Sequence, residues 1–154
     1  MVRKKMSFAF NKVRVEMDKL GVDLVARNGV DLLRVKMDEY TKKCTNEALK
    51  VAKKQNHVIL TSGDFQTVIN NGCMTTVPTM TSLMIDAVSK EPLRRVMKQA
   101  GAGKVSSDGL IFFKDQLNLK IANTIDIAMD LTRHANRKKV TSQDIGMALS
   151  LPLR

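Results

Sequence analysis

The sequence contains no tryptophan and only six aromatic residues, five Phe and one Tyr. A core built on stacked rings is excluded, so ten Met and the many Ile, Leu and Val must fill the interior. Histidine and cysteine number two each, and Cys44 and Cys73 form no C-x-x-C. So few ligating side chains leave no metal-type cluster. The low cysteine count points to a reducing compartment. No run approaches the ~18 uncharged apolar residues of a membrane span. Met1-Val2-Arg3-Lys4-Lys5 is not followed by an apolar stretch of signal-peptide length. A soluble, intracellular protein is expected. Phosphate-loop spacing is missing too: Gly101-Ala102-Gly103-Lys104 lacks the G-x-x-x-x-G-K-[ST] pattern and follows no strand. Nothing remains from which to assemble an active site, so neither an enzyme, a cofactor nor a small-molecule substrate is expected.

Negative charge is also scarce. Lys and Arg outnumber Asp and Glu by 26 to 15, a net charge of +11 over 154 residues. Residues 1–71 carry 14 cations against 8 anions, residues 91–154 carry 11 against 6, and the stretch between is neutral. A basic excess spread over the whole chain fits a polyanionic partner, most often nucleic acid.

The sequence repeats itself after 80 residues. Thr61-Ser62-x-Asp64-Phe65 returns as Thr141-Ser142-x-Asp144-Ile145. In the same gap-free register fall Arg14/Arg94, Met17/Met97, Gly21/Gly101, Val25/Val105, Gly29/Gly109, Ala48/Ala128 and Asn56/Asn136. A period of this length indicates a duplicated unit; solenoid repeats run to roughly 20–50 residues. The units are 1–71 and 91–154, joined by a linker over 72–90.

Each unit reads as short helix, loop, long helix, loop, short helix. In the first long helix, about 28–54, Val30, Leu33, Met37, Tyr40, Cys44, Ala48 and Val51 recur at steps of three and four. Leu110, Phe113, Leu117, Ile121, Ile125, Ala128 and Leu131 do the same over about 108–135, after the capping residues Ser106-Ser107-Asp108. Such a helix is roughly 40 Å long, too long to be buried inside a 75-residue unit. It needs a second long helix to lie across. Short helices span about 7–19 and 92–99, with Pro92 in a first turn and Gly21 and Gly101 as C′ residues. The last helices start at T-x-x-D, a capping-box variant. In the linker, Leu83, Met84, Ala87 and Val88 stand at helical spacing after a Val77-Pro78 break. Val58-Ile59-Leu60 and Lys139-Val140 read as short extended loops.

The stretches RRVMKQAGAGKVSSDG (94–109) and LTRHANRKKVTSQDIGMAL (131–149) resemble the first helix and loop, and the last loop and helix, of archaeal histones. RVEMDKLGVDLVARNG (14–29) and ALKVAKKQNHVILTSGDFQTVI (48–69) are weaker matches. The whole resembles the histone doublets of some archaea and large DNA viruses. That resemblance implies an all-α chain of two tandem histone folds, paired head to tail as an intramolecular handshake dimer. It implies an architectural protein that wraps and compacts double-stranded DNA, located in a nucleoid, in chromatin or in a virus particle. The competing reading is a histone-fold interaction subunit of a transcription complex, which shares the fold without basic loops. A sequence-specific regulator is a third.

Carried over residue by residue, the resemblance assigns DNA contacts to Arg94 and Arg95 on a first helix, Lys104 on a first loop, and Arg137, Lys138 and Lys139 on a second loop. In the first unit Arg14 matches Arg94 and Arg27 lies near the first loop. Val15 stands in place of Arg95, Leu24 in place of Lys104, and His57-Val58-Ile59 in place of Arg137-Lys138-Lys139. The handshake would set Arg137-Lys138-Lys139 beside Leu24 and Arg27, and Lys104 beside His57, so that one end grips DNA harder. Arg137 and Asp144 match the family's loop-to-helix ion pair, although Asp144 serves equally as a helix cap. His57 and Asp64 are the corresponding pair, weaker near neutral pH because imidazole is then mostly uncharged. His134 and Asp144 fall where the family joins dimers through a four-helix bundle, and the bundle implies self-association or a second histone chain. Lys54 occupies the place of His134 in the first unit.

Overall fold

The structure, a computed structural model, describes residues 8–74 and 85–150. Among the described residues, six helices and two very short strands follow in the order α1 (Phe10–Lys19), β1 (Leu24–Val25), α2 (Arg27–Lys54), α3 (Ser62–Asn70), α4 (Lys90–Gln99), α5 (Ser107–His134), β2 (Lys139–Val140) and α6 (Ser142–Ser150). The two central helices, α2 and α5, have 28 residues each and begin 80 residues apart. At 1.5 Å per residue each is roughly 42 Å long.

One C-terminal turn recurs after five of the helices. The residue beyond the cap has positive φ, and it and its successor donate back into the last helical turn. After α1 these are Gly21 N–H to Asp18 O and Val22 N–H to Met17 O; after α4, Gly101 to Lys98 and Ala102 to Met97. Gly72 and Cys73 end α3 in the same way. Asn56 (φ 58°) and Asn136 (φ 55°) end the central helices. Asparagine is the usual alternative to glycine in this left-handed position.

The core crosses the repeat boundary. α3 packs on α2 and on α5; α6 packs on α5 and on α2. Phe65 of α3 stands against Phe113 of α5, ring centroids 5.2 Å apart, and both are fully buried. Burying one such ring contributes roughly 1.5–3 kcal/mol. Gly29 and Gly109, equivalent in the repeat, mark two close approaches between the halves. A Cβ at Gly109 would lie 3.1 Å from both Leu60 O and Thr61 C, and one at Gly29 would lie 3.0 Å from Ile145 Cδ1. The start of each central helix thus presses on the loop or helix that ends the other half.

Three features differ from the sequence reading. Ala87 and Val88 are not helical, while Leu83 and Met84, with Val77-Pro78, lie outside the described residues. Residues 85–89 run without regular structure because side chains take their backbone donors. Asn118 Oδ1 accepts from Ala87 N–H (3.0 Å) and Val88 N–H (3.1 Å), and Glu16 Oε1 accepts from Asp86 N–H (2.8 Å). Asp86 in turn reaches Lys12 (3.9 Å) and Lys114 (3.1 Å). Second, Leu24-Val25 is a strand, which its loop position did not suggest. Third, the few cysteines, read as a sign of a reducing compartment, are joined: Cys44 in α2 and Cys73 beyond α3 form a disulfide, Cα atoms 5.7 Å apart. Their separation of 29 residues conceals this, because α3 folds back onto the middle of α2.

Candidate nucleic-acid interface

Two loop pairs lie where the halves meet. At the first, β1 and β2 run parallel, with Leu24 opposite Lys139 and Val25 opposite Val140, and Ala26 N–H donates to Val140 O at 2.8 Å. At the second, Leu60 bridges Val105 in parallel. Leu60 N–H donates to Lys104 O (3.0 Å) and Ser106 N–H to Leu60 O (2.8 Å). The structure therefore brings Arg137, Lys138 and Lys139 beside Leu24, and Lys104 beside the loop that carries His57.

Asn136 starts the turn that aims the basic loop. Arg137 N–H donates to Thr132 O at 3.0 Å, which swings its side chain over the start of α6. There Arg137 meets Asp144 with both terminal nitrogens, at 2.8 and 2.6 Å. Asp144 Oδ2 also accepts from Thr141 N–H at 2.9 Å and lies 3.0 Å from the Thr132 and Thr141 hydroxyls. One buried carboxylate is thus both helix cap and ion-pair partner. The Arg137 guanidinium, with the surrounding hydroxyl and amide donors, holds its carboxyl far below the ordinary range. The same contact raises the Arg137 pKa. With Arg137 clamped, exposed Lys138 and Lys139 follow it along the loop.

The corresponding loop of the first half is built alike but chemically weaker. His57 Nε2 lies 2.8 and 3.0 Å from the Asp64 oxygens, and Thr61 N–H donates to Asp64 at 2.9 Å. Ala52 stands where Thr132 would supply a hydroxyl. Beyond His57, Val58 and Ile59 are 77% and 47% exposed in place of the two lysines.

The remaining cations are scattered along the helices. Arg94 and Arg95 are exposed on α4, and Lys104 is exposed beyond it. Arg14 is half-buried and donates to Asp23 O at 3.0 Å, so it braces the loop after α1. Arg27 is exposed and stacks over Phe10, 4.9 Å from the ring centroid. Arg34, absent from the sequence reading, shares that ring at 5.8 Å and donates to Phe8 O at 2.7 Å. The repeat hid this cluster, because Lys90 stands in register with Phe10. His134 is exposed at the last position of α5, whereas Asp144 is buried beneath the loop with its carboxylate already engaged. A cleft of about 440 Å³ opens beside this end, lined by Asp23, Leu24, Thr132, Arg133, Arg137 and Lys138 among others.

Comparison with solved structures decides the architecture. The histone from Methanopyrus kandleri superposes with a TM-score of 0.70 at 15% identity, covering 92% of each chain. The chain has the histone fold. Residues 79–149 match the family described as histone-like transcription factor (CBF/NF-Y) and archaeal histone. Among the described residues, no helix is long and apolar enough to cross a membrane.

Proposed function

We propose that this chain is a histone doublet that wraps and compacts double-stranded DNA through phosphate and minor-groove contacts largely independent of sequence. The observation that carries the reading is the first loop pair: Arg137, Lys138 and Lys139 stand exposed on a loop whose geometry is fixed by Asp144. Cations on a rigid loop can meet phosphates without first being ordered. The two-half arrangement is supported by the cross-packing of α3 on α5 and α6 on α2. It is also supported by the extent of the M. kandleri likeness, which takes in both halves. Arg94, Arg95, Lys104, Arg14 and Arg27 supply the remaining DNA contacts. His134 supplies a four-helix-bundle contact to a second copy or another histone chain. The role is architectural, and the protein resides with DNA.

Gel shifts across a salt series test this. Replacing Arg137, Lys138 and Lys139 together by Ala should weaken binding and reduce the slope of log K against log salt by up to about 0.9 for each phosphate no longer neutralised. An unchanged slope defeats the assignment. One observation favours the second reading, an interaction subunit of a transcription complex: Val58 and Ile59 expose apolar surface at the other loop pair. No DNA binding at low salt would select that reading, and a strong preference for one sequence would select a regulator.

A further inference from the structure

The two central helices meet at an unlike pair. Tyr40 and Lys120 occupy the same position in the two repeats, near the middle of α2 and α5. In a two-fold pairing, position i meets j and j meets i, so only a residue on the axis meets its own counterpart. Tyr40 and Lys120 do meet: Lys120 Nζ is 5.8 Å from the Tyr40 ring centroid. Lys120 is 6% exposed, an unusual place for an ammonium. Burial pulls its pKa below the ordinary lysine value and raises that of Tyr40. Neighbouring buried positions differ as well, with Thr41 and Thr45 on α2 where α5 carries Ile121 and Ile125.

We propose that Lys120 selects the partner of the central helix: it fits against Tyr40, and it repels a second Lys120, so the second half pairs with a first half and not with another second half. In a like pairing about the same axis, two ammonium groups would face each other with little water between them. Their repulsion grows as the local dielectric falls. In the unlike pairing the same ammonium meets the negative face of a ring. The tether raises the effective concentration of the correct partner, and Lys120 acts on the alternative that remains when many chains fold together.

The inference rests on the two-half reading and is independent of DNA binding, so it is tested without DNA on full-length chains. Wild-type and Lys120→Glu chains carrying different mass tags are refolded separately and together. The introduced carboxylate, set against the Lys120 ammonium of a wild-type chain, turns the repulsion into attraction, so mixed dimers should exceed their statistical share several-fold. Reciprocal exchange of halves that keeps α2 on α5 gives no such excess. A merely statistical share of mixed dimers overturns the proposal; where the tether keeps every chain monomeric, the next measurement decides. A second measurement does not depend on Lys120→Glu folding. Tyr40→Lys should lower the thermal midpoint by roughly 5–10 °C, and Tyr40→Lys/Lys120→Tyr should recover most of that loss. Absence of recovery also overturns it.

Discussion

Asp144 and Asp64 hold equivalent places and do unequal work. Asp144 serves an arginine, a backbone amide and two hydroxyls, whereas Asp64 serves an imidazole, an amide and one hydroxyl. Asp144→Asn should therefore destabilise by about 2 kcal/mol, since a buried donor set loses its acceptor charge; Asp64→Asn should cost less. Chemical denaturation of both variants checks the order. Because folding depresses the Asp144 pKa, its contribution is complete above the ordinary carboxyl value and is lost as pH falls through and below it. Between about pH 6 and pH 3, wild type should lose more stability than Asp144→Asn. An equal loss would show that other carboxylates govern acid unfolding. The glycines make a second residue-scale case. Gly109→Ala drives a Cβ against backbone at Leu60 and Thr61, while Gly29→Ala meets the movable end of Ile145. Gly109→Ala should cost about 1–3 kcal/mol and Gly29→Ala less. The repeat exposed both glycines, but their reason lies in the opposite half and could not be read locally.

At the scale of elements, the helices were legible because their apolar spacing, caps and stop residues agree with the tertiary packing. The segment before α4 was not. Ala87 and Val88 have helical spacing, yet Asn118 takes both amide donors and holds the chain out of a helix. A side chain about 30 residues downstream leaves no local trace. Asn118→Leu should leave two buried donors unsatisfied and cost about 1–3 kcal/mol, and hydrogen exchange at Ala87 and Val88 should quicken. Strand β1 was missed for a like reason: two residues have no periodicity of their own, and only the β2 register makes them a strand. The basic loop was legible as a composition, Arg-Lys-Lys. The Arg137–Asp144 pair was legible as a seven-residue spacing and the cap as T-x-x-D; that Asp144 does both at once is seen in the structure.

For the whole molecule, the shared core makes both halves one cooperative unit. Thermal unfolding should be a single transition whose midpoint does not change with protein concentration, as required of partners in one chain. Two transitions would mean that the halves hold separate cores. The Cys44–Cys73 bond closes a loop of 29 residues, and reducing it should lower stability by about 3 kcal/mol without splitting that transition. The cysteine count alone led away from this bond, since sequence distance says nothing about how α3 returns to α2. The covalent joining of the halves also bears on synthesis. Two separate chains sharing such a core must be made in matched amounts, and any surplus is left with a bare apolar helix. Here one message specifies both halves in a one-to-one ratio, and the second helix emerges from the ribosome already attached to the first. The interval in which either could aggregate is set by the time needed to translate the rest of the chain.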